Sequence, residues 1–428
     1  MLEIALATLA LFAVFLLGSV WVGLSLFGAA FTLLAVFKPN LPLVAYTGKL
    51  LWNALTAQEL LALPLFILMS DILVTARLGQ SLFSGLAPWV SRLPGGLLHV
   101  NVAGSTLFAA VSGSSAATTA IVGRVTLPEL EARGYDKKLS VGSLAGSGTL
   151  GFLIPPSIIM IIYGVAAQES IIELFIAGVV PGFLLAAIFV VYIAIAHTIS
   201  GRREEKTVYS WADRWRGLRE IGPVGLLVGG IMGTLYFGLA SPTELAATGV
   251  LGAMILSWAR GGLSLANLTI AGRNAVATSA MMGLILAGAA LLNAGLGFLG
   301  LPKAVAGQIA MLELSPMMLI AFLLGFYVLI GMFLDGTSII VMTLPITLPL
   351  VVAAGFDPIW FGIFIVVAVE ISQVTPPVGF NLFVIQSRTG LSMAFLFRAV
   401  FPFFLLMLGF AMLIALFPQI VLWLPNTL

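Results

Sequence analysis

Cysteine is absent from this chain of 428 residues, and charged side chains make up only 8% of it. Without cysteine the chain has no disulfide framework and no thiol chemistry. Its two histidines, His99 and His197, lie far apart in sequence and form no cluster. Soluble domains carry roughly 25% charged residues. The chain is therefore too poor in polar side chains to be an ordinary soluble domain.

Sequence signatures of common enzymes are also missing. No Walker A motif, His-Glu-x-x-His motif or serine elbow occurs, so no apparatus for ATP or peptide hydrolysis is visible. Residues 146–151 fit the glycine pattern of dinucleotide sites, but no strand precedes them and no βαβ context surrounds them. We interpret the chain as a protein that is not an enzyme, needs no cofactor or nucleic acid, and draws its energy from an ion gradient.

What the chain does contain is apolar sequence, which makes up 61% of its residues. Apolar runs at residues 6–37, 171–196, 317–333 and 400–424 are near or above the roughly 20 residues that span a bilayer. The first run lacks the basic start of a signal peptide and continues past the usual length of one. The sequence therefore predicts an all-α integral membrane protein with many spans.

Basic residues indicate how the chain is oriented. Residues 197–220 hold six of them and residues 131–138 hold three. Short basic loops stay in the cytoplasm, and the spans that separate these two loops place them on the same side. We therefore expect loop 197–220 to be cytoplasmic.

An internal repeat recurs at a constant offset. Matching Gly-aromatic-Asp corners lie at residues 134–136 and 355–357, and the span count places these corners on opposite sides of the membrane. The repeats are therefore predicted to be inverted, which is typical of secondary transporters whose site lies near the bilayer midplane. The other matches, also 221 residues apart, are Thr126-Leu127-Pro128 with Thr347-Leu348-Pro349, Pro155-Pro156 with Pro376-Pro377, and Pro181 with Pro402.

Each half contains an apolar segment with a polar centre, followed by a span with paired prolines. The polar centres, at residues 111–119 and 335–338, predict two re-entrant helical hairpins that enter from opposite faces. The prolines lie within residues 148–157 and 370–379, where they remove backbone donors and disfavour helix in the residue before them. We therefore expect two broken transmembrane helices.

Broken helices at bilayer depth need a bound partner, because each unpaired backbone group is costly in hydrocarbon. Unwound carbonyls and hydroxyls suit Na⁺, whereas the N-termini of half-helices suit an anion. The four breaks therefore predict two cation sites that flank one substrate site. The alternative is that small residues only permit close helix packing, which we favour for Gly178 and Gly182.

Ionisable residues inside membrane segments are functional candidates. Asp335 and Glu370 lie beside the second-half breaks, where each either belongs to the site or caps a helix end. Asp71 either pairs with a neighbouring segment or lies near an interface. Arg124, just beyond the first hairpin tip, either attracts an anion or is an interfacial or packed residue.

Together these features strongly resemble the DctM-type large membrane subunit of the tripartite ATP-independent periplasmic (TRAP) transporters. The resemblance covers essentially the whole chain. It implies an elevator-type transporter, in which a transport domain moves against a scaffold. The motifs that carry it are at residues 113–116 and 151–157 in the first half, and at residues 335–337, 344–346 and 375–382 in the second.

The resemblance also implies how the domains divide the chain. The transport domain would comprise residues 93–165 and 316–388, each with a hairpin and a broken helix. The scaffold would comprise residues 1–92, residues 166–315 with the cytoplasmic loop, and a C-terminal helix in residues 389–428.

The implied function is Na⁺-driven import of an organic acid, such as a C4-dicarboxylate, sialic acid or a related carboxylate. A periplasmic binding protein of the DctP type would deliver the acid. A small four-span membrane subunit of the DctQ type is expected as a separate partner, in the bacterial inner membrane.

The family's site residues are carried over position by position. The cation ligands fall on Ser112, Ser114, Ser115, Gly151 and Ile154 in the first half, and on Gly336, Thr337, Ser372, Thr375 and Val378 in the second. The substrate contacts are assigned to Ser115, Thr118, Pro155, Pro156, Asp335, Thr337, Pro376, Pro377 and Asn381.

Two alternatives stay open at this point. One is a Na⁺/dicarboxylate or ion symporter of the same broad superfamily, which would take up its solute without any binding protein. An intramembrane enzyme would need a compact constellation of acids or histidines, which the sequence does not display.

Overall fold

A computed structural model describes residues 2–75, 78–201, 209–310 and 314–427. Every regular element in these ranges is helical, which confirms the all-α prediction. Five helices among the described residues are long and apolar enough to cross a membrane: Ile171–Ser200, Trp211–Tyr236, Leu265–Leu299, Gly336–Ala353 and Met393–Leu416.

The helices fall into two consecutive halves. In the first half they are α1 Leu2–Leu17, α2 Val22–Phe37, α3 Leu43–Leu55, α4 Ala62–Thr75, α5 Leu78–Val90, α6 His99–Ser112, α7 Ser115–Ala132, α8 Lys137–Gly148, α9 Ile158–Ala167 and α10 Ile171–Ser200. In the second half they are α11 Trp211–Tyr236, α12 Pro242–Ala259, α13 Leu265–Leu299, α14 Leu301–Ala310, α15 Pro316–Gly331, α16 Gly336–Ala353, α17 Pro358–Ser372, α18 Phe380–Thr389, α19 Met393–Leu416 and α20 Gln419–Leu422.

Local sequence explains where many of these helices begin. A serine or aspartate side chain accepts a hydrogen bond from a backbone N–H in the first turn, which satisfies a donor that the helix itself leaves unpaired. Asp136 and Asp357 do this at matching positions, for α8 and α17. Ser210 and Ser241 form reciprocal capping boxes with Asp213 and Glu244.

The repeat extends beyond the residues that revealed it in the sequence. An offset of 221 residues carries Ser115–Ala132 onto Gly336–Ala353 without any shift in the ends, and it carries α2 onto α12 to within one residue. The 35-residue α13 covers all the positions that match α4 and all but the first of those that match α3. The halves also contact each other reciprocally, because α2 packs on α13 while α12 packs on α4.

Both hairpins form helix-turn-helix units, with a shorter turn than predicted in the first and a turn of the predicted length, three residues earlier, in the second. In the first, only Gly113 and Ser114 separate α6 from α7, instead of the predicted interruption at 111–119. Gly113 ends α6 with a positive φ of 56°, which glycine adopts without a Cβ penalty. In the second, residues 332–335 separate α15 from α16, so most of the predicted 335–338 interruption is already helical.

Both predicted breaks are present. In the first half α8 ends in a single 3-10 turn at Thr149–Gly151, and residues 152–157 are not helical before α9 begins. In the second half residues 373–379 separate α17 from α18. The half-helices before the breaks lie at the centre of the protein, since α17 is buried from Ile359 to Ser372.

The polar loop between the halves is shorter than the predicted range 197–220. Helix α10 continues to Ser200, and α11 already begins at Trp211 because the Ser210 capping box starts it. Three of the six basic residues of the predicted loop, Arg202, Arg203 and Lys206, lie outside the described residues. Its predicted cytoplasmic location remains a prediction.

Candidate functional site

The tip of the first hairpin is held by a small network of hydroxyl groups. The Ser112 hydroxyl lies 2.8 Å from that of Thr118 and donates to the Ser114 carbonyl at 3.2 Å. Thr118 also donates to the Ser114 carbonyl, at 2.8 Å. Three predicted residues are thus brought together, and their oxygen atoms surround one largely buried turn of backbone.

This tip packs directly on the break of its own half. The Gly113 carbonyl accepts a hydrogen bond from the Ile158 amide at 3.4 Å. A Cβ added to Gly151 would lie 2.6 Å from the Ser114 carbonyl oxygen, so only glycine allows the two backbones to approach this closely. Ser114 and Gly151, predicted as ligands of one cation, are therefore neighbours.

The tip of the second hairpin is organised by Asp335. Its Oδ2 accepts hydrogen bonds from the amides of Thr337 and Ser338 at 3.1 and 3.2 Å, and its Oδ1 accepts one from the Ser338 hydroxyl. Of the two roles left open for Asp335, the carboxylate therefore has the capping role at the start of α16. Asp335 is also half-buried beside the tip. Its contact with the solute remains a prediction.

The second tip packs on the second break in a similar way. The Val378 amide donates to the Met332 carbonyl at 3.2 Å. A Cβ on Gly331 would lie 2.1 Å from the Cβ of Ser372, which places this predicted ligand against the hairpin. Thr375 donates its hydroxyl to the Ser372 carbonyl at 2.9 Å.

Contacts between the halves join both tips and both breaks into one cluster. The Asn381 amide, which follows the second break, is fully buried and donates to the Ser115 hydroxyl of the first tip at 2.8 Å. Conversely, a Cβ on Gly336 of the second tip would lie 2.8 Å from the Ile159 side chain, just after the first break. We call this assembly of α6–α9 with α15–α18 the hairpin cluster.

The helix ends give the hairpin cluster a distinctive electrostatic pattern. Four helices begin in it, at Ser115, Ile158, Gly336 and Phe380, and four helical segments end in it, at Ser112, Gly151, Gly331 and Ser372. Helix N-termini carry a partial positive charge and C-termini a partial negative charge. The same small region therefore offers N–H groups to an anion and carbonyl groups to cations.

The remaining predicted residues are enclosed to different degrees. In the first break Ile154, Pro155 and Pro156 are buried. In the second break Pro377 is exposed, whereas Pro376 and Val378 are half-buried. Both proline pairs contain a cis peptide bond, so the two breaks share this local conformation as well.

Glu370 is the one acid that is completely buried in the hairpin cluster. Neither carboxyl oxygen forms a hydrogen bond of normal geometry within the described part of the chain, and the Leu153 backbone of the first break lies beside it. The carboxyl group thus faces the opposite break instead of capping its own helix.

Asp71 lies half-buried on α4, outside the hairpins and breaks.

Some groups in the cluster were missed by the sequence analysis. The Gln373 carbonyl accepts from the backbone N–H of Asn381 at 3.2 Å, and the Met332 carbonyl accepts from the backbone N–H of Val378 in the second break. Main-chain groups of this kind leave no residue-type signal.

The packing interpretation of Gly178 and Gly182 is confirmed. A Cβ on Gly178 would lie 2.8 Å from the Leu153 carbonyl oxygen, and a Cβ on Gly182 would lie 2.8 Å from the Ile154 side chain.

Comparison with known proteins identifies similar chains. The family model described as "Tripartite ATP-independent periplasmic transporter, DctM component" matches residues 9–420. A "C4-dicarboxylate TRAP transporter large permease protein DctM" of Rhodobacter capsulatus is 33% identical over 427 residues, covering 96% of this chain and 95% of its own length. An "Ectoine/5-hydroxyectoine TRAP transporter large permease protein UehC" of Ruegeria pomeroyi is 33% identical over 371 residues, 86% of each chain.

A solved structure has a similar fold. The YdaH transporter of Alcanivorax borkumensis, whose crystal structure "reveals an unusual topology", superposes with a TM-score of 0.61 over 88% of both chains. Its sequence is 14% identical, so the comparison concerns the fold alone.

Proposed function

The chain belongs to the family of DctM components of tripartite ATP-independent periplasmic transporters, and from this premise we propose that it imports an organic acid with Na⁺ by an elevator mechanism. In this proposal the hairpin cluster is the moving transport domain. The helices α2, α4, α12 and α13, which pack on one another across the two halves, belong to the scaffold. The protein acts as a transporter subunit, and its proposed work is movement of solute without chemical conversion.

The observation that carries this proposal is the meeting of both tips with both breaks. A hairpin tip that contacts only its own break could be a packing device. Here Ser115 of the first half contacts Asn381 of the second, and Gly336 of the second half packs on Ile159 of the first. A rigid unit built from both repeats, with unwound backbone at its centre, is what a single moving domain requires.

We assign the coupling ion to oxygen atoms at the tips and breaks. Unwound carbonyls and the C-terminal ends of half-helices coordinate Na⁺ in transporters with broken helices. In the first half the Ser114 carbonyl oxygen, which accepts from the Ser112 hydroxyl, lies against Gly151. In the second half Ser372 and Thr375 provide hydroxyl and carbonyl oxygens beside the second hairpin.

The solute is assigned to the N-terminal ends that converge in the same cluster. A carboxylate is favoured there by the N–H groups that begin α7, α9, α16 and α18. Relatives whose printed names specify a C4-dicarboxylate or ectoine fit this class, since both solutes carry a carboxylate. We therefore propose a carboxylate-bearing solute, with the C4-dicarboxylates as the first candidates.

Two partners follow from the family. A tripartite transporter has three components, and a large permease protein implies a smaller one. We propose a DctQ-type membrane subunit that completes the scaffold and a DctP-type periplasmic protein that delivers the solute. The protein would lie in the bacterial inner membrane, with the basic loop around residues 201–210 in the cytoplasm.

The test is reconstitution of the transporter in liposomes with both partners. We expect uptake of radiolabelled succinate or ectoine when Na⁺ is higher outside than inside. Omitting the binding protein should abolish uptake, and replacing Na⁺ by K⁺ at constant membrane potential should reduce it to background. Equal uptake in Na⁺-free buffer would contradict the cation assignment. Full uptake without the binding protein would favour an independent symporter.

A further inference from the structure

A cavity of about 530 Å³ lies outside the hairpin cluster's contacts described above. One of its walls is formed by α3 and α13 of the proposed scaffold, and the other by α9 and α16 of the hairpin cluster. Small-molecule sites typically have volumes of roughly 300–1,000 Å³. The cavity is therefore large enough for an organic acid, and it lies where the two proposed domains would separate.

Three amide side chains line this otherwise apolar space. Asn53 lies on α3, Asn293 on α13, and Gln168 directly after α9, and all three are exposed. None of them forms a side-chain hydrogen bond within the part of the chain that the structure describes. Most of the remaining wall is alanine on the scaffold side, with Val341 and Leu344 on α16.

Gln168 adopts a backbone conformation that favours glycine. Gln168 ends α9 with a φ of 60°, a left-handed conformation that is unfavourable for residues with a Cβ. At the corresponding end of α18 the same conformation is taken by Gly390, with a φ of 67°. Glycine would therefore suit the turn after α9 better, but glycine would bring no amide into the cavity.

The cavity also runs toward the second hairpin tip. Its wall on α16 extends from Pro349 to Val341. Val341 lies one helical turn after Thr337, which belongs to the second tip. Prolines inside a helix leave the carbonyl four residues earlier without its helical donor. Pro345 and Pro349 therefore leave the carbonyls of Val341 and Pro345 without their helical donors on this wall.

We propose that this cavity is a second, transient binding site for the transported organic acid, in which the amides of Asn53, Asn293 and Gln168 donate hydrogen bonds to a carboxylate of the solute. The inference rests on the proposed function, because it supplies a route to the hairpin cluster. Neutral amides attract a carboxylate without placing a permanent charge between membrane helices, where charge is costly. They therefore suit a site that must release the solute onward.

The absence of cysteine from the chain allows a direct test. In the complete transporter, Asn293→Cys introduces a single thiol on this chain within the cavity. We expect a charged, water-soluble methanethiosulfonate to label it, and saturating succinate to slow the labelling at least about threefold. The matched control is Asn274→Cys, since Asn274 corresponds to Asn53 in the other half and does not line the cavity.

Two results would overturn the inference. One is labelling of Asn293→Cys only by a lipid-soluble maleimide, which would mean that hydrocarbon chains fill the cavity. The other is labelling that succinate and ectoine both leave unchanged. Loss of Na⁺ dependence in the uptake assay would contradict the proposed coupling instead, and it would not alter the labelling result.

Transport kinetics provide the second measurement. Asn53→Ala combined with Asn293→Ala removes two donors, so the solute concentration for half-maximal uptake should rise about tenfold while the maximal rate changes little. Gln168→Gly removes the third amide and suits the left-handed turn, so it should raise that concentration without loss of folded protein. Unchanged half-saturation in both variants, with Asn274→Ala as the control, would refute the site.

Discussion

Residues 152–157 and 373–379 interrupt matching helices 221 residues apart, yet their surroundings differ. The first break is covered by α10, where Gly178 and Gly182 let the helix approach Leu153 and Ile154. The second break is more open, and Pro377 is exposed. One architectural plan thus produces an enclosed break and an accessible break.

The two halves also distribute their polar side chains differently. In the first half three hydroxyls lie at the tip, at Ser112, Ser114 and Thr118, whereas the break carries one, that of Ser157, which caps α9. In the second half Thr375 in the break and Ser372 at the end of α17 both carry hydroxyls. A cation in the first half should therefore depend mainly on how closely two backbones approach, and a cation in the second half on side chains.

The largest effect should come from disturbing the close approach in the first half. Gly151→Ala would place a Cβ 2.6 Å from the Ser114 carbonyl oxygen, against backbone that cannot rotate away. Overpacking of this kind costs about 1–3 kcal/mol. We expect Na⁺-driven uptake to fall below about a tenth of the wild-type rate, measured in proteoliposomes at equal protein content.

Gly225→Ala is the matched control, because a Cβ on Gly225 meets nothing within 4 Å. It should transport like the wild type. Normal uptake by Gly151→Ala would mean that the first tip and first break need not touch during transport.

The next largest effect should come from removing the helix caps, which occupy matching positions in the two tips. Asp335 accepts from two backbone amides at 3.1 and 3.2 Å, whereas Ser114 accepts from one, that of Ala117, at 3.4 Å. Loss of a cap costs about 0.5–2 kcal/mol. Asp335→Ala should therefore lower the thermal midpoint and the uptake rate more than Ser114→Ala does. An equal or reversed order would contradict the stronger side-chain dependence of the second half.

A smaller effect should follow from cutting the link between the halves. Asn381→Ala removes the amide that donates to Ser115, and Ser115→Ala removes the partner. A double-mutant cycle on the free energy of unfolding should give a coupling of about 0.5–1.5 kcal/mol. Additive effects would show that these two residues do not join the halves energetically.

The fold was more predictable from sequence than the contacts of the site. Fixed-offset prolines and glycines predicted the repeat and both breaks, since these residues act on their own backbone. The link between Ser115 and Asn381 joins residues 266 positions apart and has no local signature. The main-chain roles of Met332 and Gln373 were hidden for a related reason, because any residue type has a carbonyl.

The length of the first turn was overestimated for a different physical reason. Serine, threonine and glycine around residues 111–119 were interpreted as a long interruption, but a single left-handed glycine and one serine cap complete the turn. The hydroxyls of Ser112 and Thr118 lie inside helices and bond across the tip instead. Polar composition located the tip correctly but did not define its length.

The smallest effect concerns a position where the halves differ in charge. Arg124 on α7 corresponds to Pro345 on α16, and its side chain is exposed. If it attracts an anion, Arg124→Gln should raise half-saturation about two- to fivefold at low ionic strength, and the difference should shrink with salt because charges on exposed groups are screened. A difference that is independent of salt would indicate a packing role for Arg124.

The proposed coupling requires cations held by tip and break in both halves, and the Na⁺ dependence of uptake tests it most directly. Initial rates measured against external Na⁺ should give a Hill coefficient above 1 and up to about 2 for two coupled sites. Ser372→Ala combined with Thr375→Ala should bring the Hill coefficient to about 1. The Na⁺ concentration that gives half-maximal uptake should then differ from the wild-type value. A hyperbolic Na⁺ curve in the wild type, unchanged by the double substitution, would contradict the account.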